Sequence, residues 1–231
     1  MYTPTLIPKV MLIGLSDPSK SKEEMYLDFE EAESLINTFG GKVYAALAQN
    51  MTRADYSTFI GRGKVDEAVG VVLEKKIDIV VINATLTPSQ LHTLFLAFHR
   101  VNPHILVWDR ISLILEIFSK HAATSQAKLQ IKFAKMRQMG PRIYGMGMQM
   151  SSQAAGIGAR GLGETNTKLM LRHWRSEKTK VQKELNTLSK KRSDQIDRRK
   201  KDGLPTISLV GYTNAGKTTL FNRLTGLDDL V

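Results

Sequence analysis

The residues Gly211-Tyr212-Thr213-Asn214-Ala215-Gly216-Lys217-Thr218 fit the pattern G-x-x-x-x-G-K-[ST], which constrains the chain more than any other stretch. Glycines at this spacing let the backbone curl so that successive N–H groups point inward at phosphate oxygens. The helix that follows adds its positive N-terminal end. In such a loop Gly211, Tyr212, Thr213, Asn214, Ala215, Gly216, Lys217, Thr218 and Thr219 are the candidate nucleotide-binding residues. Lys217 would reach the β- and γ-phosphates, and the Thr218 hydroxyl would be a ligand of Mg²⁺. The flanks agree, because Thr206–Val210 is a strand-like apolar run and Thr219–Leu224 starts an amphipathic helix. The pattern therefore predicts the beginning of a P-loop domain over 204–231. A phosphate cradle does not tell guanine from adenine and does not orient an attacking water. Residues for those tasks normally follow the loop at a distance, so the 231 residues by themselves are expected to be inert or poor in hydrolysis.

The first hundred residues alternate strand and helix patterns. Lys9–Leu15 reads as a strand, and Ser21 with Glu24 forms a capping box ahead of a helix that ends near Gly40-Gly41. Val43–Ala48 reads as a strand, Val65–Lys75 as a helix and Ile77–Ile82 as a buried strand. Thr87-Pro88-Ser89-Gln90 opens another helix with its own capping box, and Ile105–Trp108 is a further strand. Strands separated by helices pair in parallel through right-handed crossovers, so 1–110 is expected to be a small α/β domain.

After Asp109 the pattern becomes that of long helices. Leu129, Phe133 and Met136, then Leu171, Trp174, Val181, Leu185 and Leu188, mark seams of an antiparallel helical hairpin over 111–203, with Lys178 interrupting the second seam. Between them 141–167 contains six glycines and three methionines and is expected to be the hairpin's tip loop. Arg160, beside Gly161 and Gly163, is its candidate RNA contact, since arginine pairs with phosphate or stacks on a base.

The net charge of +11 is concentrated. Lys168–Lys201 holds 13 Lys or Arg against four Asp or Glu, a net +9. A local positive face of this density points to a polyanion, and the segment is too polar to embed in lipid, which favours nucleic acid. Lys190, Lys191 and Arg192 are the candidate contacts, against the alternative of a merely solvated helix face. With no cysteine, disulfides and thiolate chemistry are excluded. The N-terminus lacks a signal-peptide pattern, and the chain is read as cytoplasmic.

Several motifs in order resemble the HflX-type ribosome-associated GTPases: Phe59–Glu67, Leu86–Leu91, Asp109-Arg110 with Leu113–Phe118, Gly156–Thr165, and the phosphate loop. The resemblance implies an N-terminal α/β domain with a helical hairpin followed by a Ras-like G domain. It also implies GTP and GDP as ligands with Mg²⁺, and the large (50S) ribosomal subunit and its rRNA as partners, with separation of stalled or stressed ribosomes as the task. It further implies an adenine-nucleotide (ATP) site in the N-terminal domain, for which Gly61, Gly63 and Lys64 are the candidate anion contacts. On pattern alone a simple tight turn before a helix is the favoured explanation of those three residues. Two rival functions stay open on the residues: a non-catalytic rRNA-binding module, and an ATP-dependent RNA or ribosome remodeller.

Overall fold

The computed structural model describes residues 7–19, 21–138, 160–203, 207–212 and 215–226, with side chains of the long helix from Lys168 onward. The chain divides into two compact units, Met1–Leu185 and Asn186–Val231.

The first unit is built on a parallel four-stranded sheet. Strand β1 (Lys9–Ser16) leads through helix α1 (Lys22–Phe39) to β2 (Lys42–Asn50), then through α2 (Arg62–Lys75) to β3 (Ile79–Ile82), and through α3 (Pro88–His99) to β4 (Leu106–Asp109). Helix α4 (Arg110–His121) follows directly. The strand order is β2-β1-β3-β4, the doubly wound arrangement expected of alternating β and α segments.

Burial follows the pleat. Met11 and Ile13 of β1, with Val80 and Ile82 of β3, join one core layer under α2 and α3, where Val65, Ala68, Val72, Leu94 and Phe98 close it. Val10 and Leu12, with Ile79 and Val81, face the opposite layer, formed by Ala32 and Ile36 of α1 and Leu113 of α4. Adjacent residues thus serve opposite layers, which is why the central strands read as unbroken apolar runs. The outer strand β2 instead alternates exposed residues with half-buried ones and the buried Leu47.

The helix starts fall where the sequence places them. Ser21 and Thr87 each accept from the backbone N–H three residues on, and Glu24 and Gln90 reach back to complete the boxes. Gly40 ends α1 at φ 93°, a left-handed conformation that glycine adopts without a Cβ penalty. Helix α2 begins at Arg62, three residues earlier than the apolar pattern alone indicates, so Gly63 and Lys64 lie in its first turn.

A helix over 125–138, α5, and the 42-residue α6 (Arg160–Lys201) continue the chain. Trp174 donates its indole N–H to the Met136 carbonyl at 2.8 Å. Farther back along α5, Phe133 meets Lys178, which is farther forward on α6. Rising numbers on one helix meet falling numbers on the other, so the pair is antiparallel. Leu171 and Val181 are buried, Leu185 and Leu188 half-buried, and 189–203 wholly exposed. The apolar seam therefore ends where Arg192 and Gln195 replace aliphatic residues. Residues 160–167, expected in the tip loop, are helical in backbone; the rest of that loop lies outside the described residues.

Gly14 is a position where only hydrogen fits. A Cβ there would lie 2.6 Å from the Phe29 ring of α1, and overpacking of this kind costs about 1–3 kcal/mol. Gly14→Ala is expected to lower the urea midpoint accordingly, and Phe29→Leu in the same chain to recover part of the loss. Additive losses in the double variant would show that the close approach is not the reason for the glycine.

Candidate functional site

At the carboxyl edge of the sheet the segment from Asp55 to Gly61 is tightly fixed. Asp55 Oδ1 accepts from the backbone N–H and hydroxyl of both Ser57 and Thr58, at 2.8–2.9 Å. The Ser57 hydroxyl, then the Thr58 and Ser57 backbone amides, hold this carboxyl far below the usual carboxylate range. Backbone bonds run both ways between Asp55 and Phe59. Phe59 sits at φ 68°, an unfavourable conformation for a bulky residue, retained because its side chain is buried. Gln90 donates to the Asp55 carbonyl at 2.7 Å, and Gln49 accepts from Gly61 N–H at 2.8 Å.

These bonds bear on the candidate anion residues Gly61, Gly63 and Lys64. Gly61 is the N-cap of α2 and makes no side-chain cap, and its carbonyl accepts from the Lys64 and Val65 amides at 2.9 and 3.1 Å. A Cβ at Gly61 would lie 3.0 Å from the Gln49 amide, so packing accounts for this glycine, whereas Gly63 has open space around it. The Lys64 ammonium is bound to Glu67 at 2.6 Å. The three residues are close in space, with the cation turned to its neighbour's carboxylate.

The pair Asp109-Arg110 has an architectural task. Asp109 caps α4 by accepting from Ser112 N–H at 2.9 Å and also receives Gln138 from α5. Arg110 donates to Asn83 at 2.9 Å and to Glu31, tying the end of β3 to α1.

In the second unit Gly211 and Tyr212 precede α7 (Lys217–Thr225), with Thr213 and Asn214 outside the described residues. Gly216 is the N-cap at φ 75° with no side-chain cap, so the first amides of α7 are open to an anion. The Lys217 ammonium folds back onto the loop, donating to the Gly211 carbonyl at 2.9 Å and the Tyr212 carbonyl at 2.6 Å. Two of its three protons hold the loop's shape, and a third is left for a phosphate oxygen. Thr218 and Thr219 are exposed in the first turn of α7. The structure thus brings Gly211, Tyr212, Gly216, Lys217 and Thr218 together around one helix start.

The strand expected before the loop is not formed over 207–210. A strand exists by virtue of a neighbour, and among the described residues nothing pairs with this run. Ile207 is 87% exposed and Val210 93%. On α7, Leu220, Phe221 and Leu224 are likewise exposed, an apolar face of the kind that a sheet covers.

Lys190, Lys191 and Arg192 are exposed on the second half of α6. Arg160, Gly161 and Gly163 are in its first turn, not in a loop. Sequence reasoning missed the role of Lys178: it does not interrupt the seam but lies over two rings, 5.1 Å from the Trp174 centroid and 5.8 Å from that of Phe133. Its i, i+4 spacing from Trp174 was the available signal. Among the described residues no cluster of three or more His, Asp or Glu could hold a metal, and no helix is long and apolar enough to cross a membrane.

Acid should act through Asp55. Its folded pKa lies below the unfolded value, so its stabilisation is present at neutral pH and is lost as the pH falls below about 4 and on through the folded value. Urea midpoints between neutral and acid pH are expected to fall more steeply for the parent than for Asp55→Asn. Identical acid limbs would mean that the four bonds to Oδ1 carry no net preference for the charged form.

The comparisons with known proteins agree with this geometry. Family models match 27–119 (GTP-binding GTPase N-terminal), 121–199 (GTP-binding GTPase middle region) and 206–231 (50S ribosome-binding GTPase). A protein named GTPase HflX from Alkalihalophilus pseudofirmus is 38% identical over 224 residues, covering 97% of this chain and 52% of the relative. The GTPase HflX of Escherichia coli is 35% identical over 198 residues, covering 86% of this chain and 45% of the relative. A crystal structure of a GTP-binding protein from Sulfolobus solfataricus in complex with GDP superposes with a TM-score of 0.54 at 27% identity, covering 96% of this chain and 54% of that one. The chain spans about half the length of the curated relatives it matches. With its doubly wound N-terminal sheet, antiparallel helical pair and phosphate loop, the chain belongs to the HflX family of GTPases.

Proposed function

We propose that this chain is part of a GTP-binding protein that docks on the large ribosomal subunit through rRNA and dissociates stalled or stressed ribosomes, with GTP hydrolysis governing release. The observation that carries the reading is the phosphate loop latched by Lys217, within a segment matched by a family described as 50S ribosome-binding GTPase. Phosphates of GTP or GDP would be held by the loop amides, the open first turn of α7 and the remaining Lys217 proton. The Thr218 hydroxyl is a hard oxygen donor and suits Mg²⁺, which takes its other ligands from phosphates and water. When bound there, the ion would neutralise charge on the phosphates.

The exposed basic half of α6 supports the RNA partner, because Lys190, Lys191 and Arg192 can meet phosphates without first leaving a buried position. Arg160, with Gly161 and Gly163, is proposed as a further RNA contact at the start of α6.

Charge reversal at Lys190, Lys191 and Arg192 is expected to weaken co-sedimentation with large ribosomal subunits. The slope of log affinity against log salt should drop by about 0.7 to 0.9 for each phosphate that is no longer neutralised. Unchanged affinity and slope would remove this part of α6 from the interface.

For the nucleotide, a version of the chain extended to its relatives' length is expected to hydrolyse GTP in single turnover far faster than the 231 residues do. In the extended version, Lys217→Ala should weaken binding of fluorescent GDP about tenfold or more, as loss of a charged hydrogen bond to phosphate implies. Equal hydrolysis by both lengths would place the catalytic residues within the 231. Ribosome affinity indifferent to nucleotide would favour a plain RNA-binding module.

A further inference from the structure

We propose that the groove between α5 and α6, floored by Phe133 and Trp174, binds a phosphodiester of single-stranded RNA, with Lys178 as the anchoring cation. The inference rests on the RNA-docking reading above but concerns residues outside the basic tract that reading uses.

The groove has a volume of about 550 Å³, and its lining includes Phe133, Trp174, Arg175, Lys178, Gln182 and Lys183. Three of these are cations, and among the described residues no carboxylate lines the groove. The floor is rigid: Trp174 is fixed by its bond to the Met136 carbonyl, which joins the two helices. Lys178 is held over both rings, an attraction worth roughly 0.5–2 kcal/mol. That attraction orients the ammonium without using its protons in strong hydrogen bonds.

The adjacent carboxylate does not compete. Glu177 pairs with Lys180 at 2.7 Å, and this bond, with the charges of Lys180, Lys132 and His173, lowers its pKa. Packing alone would favour an aliphatic residue between Trp174 and Val181. A lysine there instead presents an oriented cation, with Arg175 and Lys183 on the same rim. Aromatic surface joined to oriented cations is what single-stranded nucleic acid uses, the phosphate meeting the cation and a base resting against the ring. An acidic protein segment would satisfy the charges but would leave the aromatic floor without a flat partner.

The test is fluorescence anisotropy of a labelled short oligouridylate with the chain across a salt series, together with the emission of Trp174 in a Trp108→Phe background. Lys178→Met is expected to weaken binding about tenfold, and to reduce the salt slope by about 0.7. Lys178→Arg, which keeps a cation over the rings, should restore both, and the exposed control Lys22→Met should change neither. RNA should shift the Trp174 emission in the parent but not in Lys178→Met.

If the parent binds RNA and Lys178→Met behaves like the control, the groove proposal is overturned while the docking reading stands. If the parent binds neither the oligonucleotide nor large ribosomal subunits, both fail. If an oligoglutamate peptide shifts the Trp174 emission and RNA does not, the groove serves an acidic protein partner and the RNA proposal is overturned.

Discussion

Burial of β1 and β3 on both faces is the constraint on which the first unit depends. Met11 and Ile13 lie under α2 and α3, and Val10 and Leu12 under α1 and α4, so neither helical layer can form without the sheet. Each such side chain contributes about 1.5–3 kcal/mol relative to exposure. Because alternate residues serve opposite layers, a one-residue slip would exchange the two cores. Gly14 continues that strand and permits the Phe29 ring to lie against it, bringing α1 close to the sheet. The carboxyl edge inherits this rigidity, since Asn83 and Arg110 join β3, α1 and α4 there.

Positive charge is used in three different ways. Lys64 is neutralised within its own helix by Glu67. Lys217 commits protons to two loop carbonyls, which turns a flexible side chain into a brace for the phosphate loop. Lys178 is oriented by rings, which leave its protons available. The formal charge is the same in all three, yet only the last two present an oriented donor to an incoming anion. Along the second half of α6 the cations are simply exposed, which suits long-range attraction and register-insensitive phosphate contact.

The motifs that carry the family resemblance are not all functional in the same sense. Gln90 completes the α3 cap and also secures the Asp55 turn. Asp109 caps α4, and Gly61 lies against the Gln49 amide. These residues build the edge of the sheet. The phosphate loop, by contrast, contains features with no use in packing: an uncapped helix start and an exposed Thr218.

Sequence alone determined the local events, because their causes are local. The capping boxes at Ser21 and Thr87, the left-handed Gly40 and the glycine-framed Lys217 each depend on residues close to one another in the chain. Tertiary structure decided whatever needs a distant partner. Gly14 takes its meaning from Phe29 and Gly61 from Gln49, and Lys178 passes from an interrupted seam to a cation over two rings once α5 supplies Phe133. Helix propagation carried α6 back to Arg160 despite its glycines, whereas 207–210, with strand-forming residues but no paired neighbour among those described, stayed without strand structure. A helix closes its hydrogen bonds within itself, and a strand must borrow them from another segment.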